Sequence, residues 1–269
     1  MPRFHFCIVV PSYNQAQFIS HTLSSLVSQK GDFSLSVLVR DGKSTDGTLE
    51  ILKSYGSSIE WVSQPDDGQT DAINQGIAYF QQQSKKLRKR NLIFAYLNSD
   101  DYYLPDALAN VCQAFTNHPH QQWLVGDAVI VDESGQEIHK SIRFYKQLWR
   151  ALLSWRTLLV LNPIPQPATF IRWTAVEKTG PFNVNLQYVM DYQYWLRLYQ
   201  VCGRPLLLQQ SLAAFRIHTQ SKGGSQFIKQ FTEEFHIAQK YTSNPILLTL
   251  HRLHSFLIVT AYKWLKSTE

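Results

Sequence analysis

Acidic and amide side chains recur in short loops along the first half of the chain. These loops are Pro11-Ser12-Tyr13-Asn14, Asp41-Gly42-Lys43-Ser44-Thr45-Asp46-Gly47-Thr48, Gln64-Pro65-Asp66-Asp67-Gly68-Gln69-Thr70-Asp71 and Asn98-Ser99-Asp100-Asp101. Turns favour Asp, Asn and Gly for their own reasons, which would account for any one loop. Carboxylates gathered on one edge, however, repel one another unless a cation or a hydrogen-bonding ligand sits among them. A hard divalent cation with oxygen ligands, itself holding phosphates, best meets that condition. The chain has neither GxGxxG nor GxxxxGK[ST], so a Rossmann dinucleotide site and a P-loop are not expected. A diphosphate held by metal instead of backbone N–H groups points to nucleotide-sugar chemistry.

The elements that must position these loops follow from the apolar pattern. Phe4–Val10, Leu35–Arg40, Ile59–Ser63, Leu92–Leu97 and Trp123–Val131 are rich in Val, Ile, Phe and Leu and predict strands. Gln15–Ser28, Thr48–Tyr55, Thr70–Gln82 and Pro105–Asn117 between them predict helices, with Thr48 and Thr70 as N-caps and Pro105 in a first turn. Repeated strand–helix–strand units predict a mostly parallel sheet covered on both faces. Ligands of such sheets bind at the carboxyl ends of the strands, where the acidic loops fall. The second half is less regular. Val129–Ile138 carries a hairpin-like turn, and the apolar spacing predicts helices over Phe144–Leu159, Asp191–Val201, Gln226–Tyr241 and Pro245–Lys266, with a Pro-rich loop after the first.

In their order, these segments resemble the family 2 inverting glycosyltransferases of the GT-A fold. The resemblance rests on Val9-Val10-Pro11-Ser12-Tyr13-Asn14, Asp41-Gly42 with Ser44–Thr48, Gln64–Gly76, and Leu97-Asn98-Ser99-Asp100-Asp101 with Pro105 and Leu108. Later come Gly180-Pro181-Phe182, Met190-Asp191-Tyr192-Gln193-Tyr194-Trp195-Leu196, and Phe215-Arg216-Ile217-His218 followed by Ser221. It implies an α/β GT-A (nucleotide-diphospho-sugar transferase) fold: a mostly parallel central sheet flanked by helices, with a helical C-terminal annex. Residues 1–222 would form the catalytic domain, with 1–131 binding the nucleotide-sugar and 132–222 holding acceptor and base, and 223–269 would be the annex.

The same resemblance implies roles. Asp41 would contact the nucleotide base, usually uracil, with Pro11 and Tyr13 lining base and ribose. Asp71 and Asn74, three apart on one helix face, would face the donor. Asn98-Ser99-Asp100 stands where the family carries Asp-x-Asp: Asp100 would bind Mn²⁺ or Mg²⁺ on the diphosphate, Asn98 would offer a neutral contact to the ribose, and Asp101 would be a second helper. Asp191 would be the general base, deprotonating an acceptor hydroxyl in a single inverting displacement. Met190 stands where many relatives have another acid. His218 would be a metal ligand or diphosphate contact. Apart from the resemblance, Gln166 and Thr169, which follow the prolines, are expected to face the acceptor, as is Trp195. Each has a plainer alternative: helix-start acids complement the helix dipole, and a lone histidine is commonly structural.

Composition sets the outer bounds. The 269 residues are 44% hydrophobic and 13% aromatic, enough for a large core, and carry a net charge of +6. Cys7, Cys112 and Cys202 form no CxxC pair, which argues against a disulfide framework or structural zinc and fits a reducing compartment. Met1–Val10 lacks the pattern of a signal peptide. Neither Leu253–Tyr262 nor the proline-broken Thr157–Ile171 reaches the roughly 20 apolar residues of a span. The expected location is cytoplasmic. The expected partners are a nucleotide-sugar donor, with UDP preferred, and a saccharide or lipid-linked acceptor, as in polysaccharide or cell-envelope synthesis; nucleic acid is not expected. The basic run Lys85–Arg90 predicts a solvated loop. The apolar stripes over Phe144–Leu159 and the last helix predict core packing first and a peripheral, anionic membrane surface second. A sugar nucleotidyltransferase would need a Gly-rich basic N-terminal loop that Pro11–Asn14 does not supply, and a non-catalytic basic adaptor would not keep Asp41, Asp100, Asp191 and His218 together.

Overall fold

The computed structural model describes residues 4–83, 91–219 and 227–266. The basic run Lys85–Arg90 and Ser221 lie outside the described residues. The strands are β1 (Phe4–Ser12), β2 (Phe33–Asp41), β3 (Glu60–Ser63), β4 (Leu92–Tyr96), β5 (Tyr102–Tyr103), β6 (Trp123–Val131), β7 (Thr169–Arg172) and β8 (Leu206–Arg216). The helices are α1 (Ile19–Val27), α2 (Thr48–Ser54), α3 (Gln69–Gln83), α4 (Ala107–Asn117), α5 (Lys140–Ala151), α6 (Trp155–Val160), α7 (Trp173–Thr179), α8 (Met190–Cys202), α9 (Phe227–Tyr241) and α10 (Pro245–Lys266).

The strands form one sheet in the order β3-β2-β1-β4-β7-β6-β8-β5. Its first four are parallel, as the strand–helix alternation predicts. β1 and β4, in the middle of the sheet, are almost entirely buried because both faces are covered, whereas the edge strand β3 is only half-buried. Phe4, Phe6, Ile8 and Val10 of β1 pack with α1 and α4, whereas Cys7 and Val9 pack with α3, α7 and α8. Gly76 lets α3 lie directly on β1, since a Cβ there would stand 2.4 Å from Val9 Cγ2. That seat carries the start of α3 to the carboxyl edge of the sheet.

The remaining strands depart from the simple alternation. β7 enters between β4 and β6 and is antiparallel to both. Its N-terminal end therefore lies at the carboxyl edge of β4. β8 runs parallel to β6, with Arg216 opposite Val131, and so delivers the residues after it to the same edge.

Local starts differ from expectation in small ways. Thr48 is the first residue of α2, and the Asp46 carboxylate takes its N–H at 3.1 Å. Thr70 lies inside α3, and Pro105 precedes the start of α4 by two positions. The helix expected over Phe144–Leu159 is two helices, because Ser154 accepts the Thr157 N–H and begins α6 anew.

Core packing does not explain the stripe on α5. Phe144 is 68% exposed, and Leu148 and Leu152 are also exposed. The inward face carries Arg143 and Arg150, which bind the two carboxylate oxygens of buried Asp127 on β6 at 2.8 and 2.6 Å. On α10, Ile246, Leu250, Leu253, Phe256 and Leu257 are exposed as well. The rings of Tyr145 and His254 stack at 6.2 Å, joining the two helices. Among the described residues no helix is long and apolar enough to cross a membrane.

Candidate active site

Ser12, Asp41 and Ser63 stand side by side in the parallel register, at the carboxyl ends of β1, β2 and β3. Asp41 is 1% exposed. Its carboxylate accepts Ser44 N–H at 2.9 Å, Ser44 Oγ at 2.5 Å and Ser63 Oγ at 2.6 Å. The loops after β1 and β2 are stitched together above it. Asn14, at φ 51°, donates its N–H to Ser44 Oγ at 2.7 Å and accepts Thr45 N–H at 2.9 Å. Pro11 is buried at the end of β1, and Tyr13 stands 63% exposed over this platform.

Asp71 and Asn74 share a face of α3 but hold different partners. Asp71 Oδ2 accepts Gln75 Nε2 at 2.6 Å and Asp67 N–H at 3.2 Å. The Asn74 amide is engaged with Phe182: it donates to the carbonyl at 2.9 Å and accepts the N–H at 2.8 Å. As observed, Asn74 seats the segment leading to α8 on α3, and its polar atoms face Phe182.

After β4 the chain enters Asn98-Ser99-Asp100-Asp101. Asn98 Oδ1 accepts Gln69 Nε2 at 2.6 Å, and its amide nitrogen lies 3.3 Å from both Asp101 Oδ2 and Gln166 Oε1. Ser99 is buried and gives its carbonyl to Thr22 Oγ1 at 2.9 Å. Asp100 is partly open to solvent, and its Oδ2 meets His218 Nε2 at 3.0 Å. The His218 ring also packs on Phe18, with centroids 4.7 Å apart. Asp101, expected to help with metal, is fully buried and accepts the Arg216 N–H at 2.9 Å. Burial, and then the charge of Asp100, pushes its carboxyl well above the ordinary range. Asp101 thus braces the loop from beneath and is out of reach of a ligand.

Arg216 was not singled out by spacing, yet it organises this corner. Its Nε donates to the Asp100 carbonyl at 2.8 Å and its Nη1 to the Glu133 carbonyl at 2.6 Å. The guanidinium lies over Phe18 and Tyr102. The signal the sequence holds is its place in the Phe215-Arg216-Ile217-His218 segment, two residues before His218.

Gln166 reaches this edge because β7 is antiparallel to β4: its amide donates to the Tyr96 carbonyl at 2.7 Å. The other expected acceptor contacts are corrected. Thr169 is buried and donates its hydroxyl to the Pro165 carbonyl at 2.9 Å. Trp195 is 1% exposed and stacked on Trp123 at 6.1 Å, within the core. Both lie on faces that packing closes.

Asp191 sits in the first turn of α8, with Oδ1 accepting the Tyr192 N–H at 2.7 Å. Burial raises its pKa above the ordinary carboxylate value; that N–H and the Lys146 charge oppose the rise. Lys146 itself is exposed to solvent, and its charge also acts on Glu234. Met190 beside it is nearly buried and receives the Thr70 hydroxyl on its sulfur.

Among the described residues no three His, Cys, Asp or Glu side chains group as a metal-binding set. The Asp100–His218 pair still fits a divalent cation that completes its shell elsewhere. Mg²⁺ commonly takes one or two carboxylates and fills the rest with phosphate oxygens and water, and imidazole nitrogen suits Mn²⁺ less than oxygen but is compatible with it.

The chain belongs to glycosyl transferase family 2, whose model matches residues 7–175. An uncharacterized glycosyltransferase of Rickettsia conorii is 25% identical over 248 residues, covering 86% of this chain and 36% of the relative. An uncharacterized protein of Mycobacterium tuberculosis is 28% identical over 214 residues, covering 78% and 58%. The chain thus spans little more than a third of the rickettsial relative's length. Among solved structures, TarS of S. aureus in complex with UDP-GlcNAc superposes with a TM-score of 0.65 at 19% identity, covering 87% of this chain and 65% of that one. A mannosyltransferase of Pyrobaculum calidifontis, in complex with GDP-Man and Mn²⁺, has a TM-score of 0.65 at 15% identity, covering 94% and 68%. The GT-A fold implied by the sequence is the fold observed.

Proposed function

We propose that the protein is an inverting glycosyltransferase that moves a sugar from a nucleotide-diphosphate donor, with UDP preferred, to a hydroxyl of a saccharide or lipid-linked acceptor. The observation that carries this reading is the meeting of Asp100 and His218 beside Asn98, on the sheet edge that also holds Asp41. Solved structures of the same fold bind UDP-GlcNAc in one case and GDP-Man with Mn²⁺ in another, which supports a nucleotide-sugar donor here.

In this reading the base and ribose lie over the platform built by Ser12–Asn14 and Asp41–Ser44, with Tyr13 free to cover them. Asp71 and Asn98 face the sugar and ribose. Asp100 and His218 would hold Mn²⁺ or Mg²⁺, which would neutralise charge on the diphosphate leaving group. Asp191 takes the proton of the acceptor hydroxyl as that oxygen attacks the anomeric carbon and the bond to the diphosphate oxygen breaks. One displacement inverts the anomeric centre. Gln166, held between Tyr96 and Asn98, borders the space where donor and acceptor meet.

The exposed apolar faces of α5 and α10 favour a peripheral seat on a membrane carrying a lipid-linked acceptor, on the cytoplasmic side as the sequence predicts, in the service of cell-envelope glycan synthesis. The deciding experiment is release of nucleotide diphosphate from a panel of nucleotide sugars, with Mn²⁺, with Mg²⁺ and with chelator. Release of pyrophosphate from a nucleoside triphosphate would indicate a nucleotidyltransferase instead, and silence across the panel a non-catalytic adaptor.

A further inference from the structure

Helix α8 begins without a cap of its own. Its N-cap residue is Val189, which offers no side-chain acceptor, and helix starts leave backbone N–H groups to be satisfied from elsewhere. What α9 holds is the approach to this start, since residues 187 and 188 precede the helix and Val189 is its N-cap. The Glu233 carboxylate receives three consecutive main-chain N–H groups, from Gln187 at 3.2 Å, Tyr188 at 2.8 Å and Val189 at 3.1 Å. Asp191 follows two residues later, in the first turn.

We infer that Glu233 is a positioning residue for Asp191, fixing the entry of α8 so that the carboxylate is presented to the acceptor; the inference rests on Asp191 being the base. The next residue supports it. Glu234 is buried, and the charges of Asp191 and Lys146 both act on it, so the same turn of α9 meets the surroundings of Asp191 from a second side. Helix α9 is anchored independently by Ile237 and Ala238, both buried. Loss of the Glu233 carboxylate therefore frees the α8 entry without undocking the helix. An anchored base matters because displacement of a catalytic group by about 1 Å can cost on the order of 10²-fold in rate.

The test is a double-mutant cycle of Glu233→Ala and Asp191→Asn, with Glu233→Gln as the conservative variant. Turnover is read as nucleotide diphosphate release, donor affinity by calorimetry, and the state of the loop by amide hydrogen exchange at residues 187–189. Glu233→Ala is expected to lower turnover by roughly 10- to 100-fold, to leave donor affinity unchanged and to speed exchange at those amides. Glu233→Gln, which keeps one accepting oxygen, should fall between. In the Asp191→Asn background the Glu233→Ala change should cost little more, because two residues that act as a unit are not additive. An equal cost in both backgrounds, or unchanged amide exchange, overturns the inference. So does wild-type turnover in Glu233→Ala when Asp191→Asn is inactive, and there the base assignment survives. Turnover retained in Asp191→Asn removes the base itself, and the inference with it.

Discussion

Asp100 and His218 meet at 3.0 Å although 118 positions separate them in the chain. One comes from the loop after β4 and the other from just beyond β8, and Arg216 ties those two segments together through the Asp100 carbonyl. The pair is thus held by contacts between the two segments themselves, Arg216 bonding both the Asp100 carbonyl and the Asp101 carboxylate.

This arrangement predicts metal-assisted donor binding. A uridine diphosphate compound should bind at least about tenfold more tightly with Mn²⁺ or Mg²⁺ than with chelator. Asp100→Ala should abolish the difference and leave the melting temperature of the free protein nearly unchanged, since the side chain is partly exposed. Equal calorimetric affinity in both conditions would remove the cation from the mechanism, and a large drop in melting temperature would make Asp100 structural.

Asp191→Asn should reduce turnover by roughly 10²–10⁴, the range a positioned base supplies. Donor affinity should barely change, because the base acts on the acceptor. Near wild-type turnover in this variant would refute the assignment and direct attention to Asp66 and Asp67.

The pH profile should carry the mark of the same group. Burial raises the Asp191 pKa from 3.8, and only the ionised form accepts a proton, so activity should be lost on acidification at a higher pH than for an ordinary carboxylate. Lys146→Gln removes a charge that favours ionisation and should move that limb to still higher pH. Since Glu234 and Tyr96 share these surroundings, the limb belongs to the cluster as a whole. A limb that stays in place in Lys146→Gln would separate Lys146 from the base.

Glu234 should make stability fall as pH rises. Burial first, and then the Asp191 charge, pushes its pKa from 4.5 up to about 8. Between those values the folded state holds a proton that the unfolded state has released, so folding weakens with increasing pH across that window. Glu234→Gln should flatten the profile, and thermal melts at pH 5.5 and pH 8 would reveal it. Parallel profiles for variant and wild type would contradict the shift.

Trp195→Ala should act on stability, at about 3–5 kcal/mol for a large buried aromatic. A well-folded variant with altered acceptor affinity would return Trp195 to the site.

Much of this was legible in the sequence, for a physical reason. Strands buried on both faces read as continuous apolar runs, so β1, β4 and β6 follow from pattern alone, and β2 and β3 follow from shorter apolar runs between turn residues, with the edge carrying Asp41 and Asp100. β7 hides in an uncharged, proline-rich stretch, and Gln209, Gln210 and Ser211 interrupt β8. Both strands owe their place to pairing with distant partners, which local sequence does not encode. The same limit explains Thr169 and Trp195: their place in the sequence suggested the acceptor side, but burial depends on what packs over them. On α5 the periodicity was correct and the direction reversed, because the buried charge of Asp127 draws Arg143 and Arg150 inward.

The reciprocal pair between Asn74 and Phe182 is one of two independent holds on residue 182. Asn74 grips only its N–H and C=O, groups that any residue except proline provides in full. The Phe182 ring is held separately, buried and stacked on Tyr194 with centroids 3.8 Å apart. A different side chain at this position would therefore disturb the aromatic packing while leaving the main-chain link to α3 in place, whereas proline would remove one of its two hydrogen bonds.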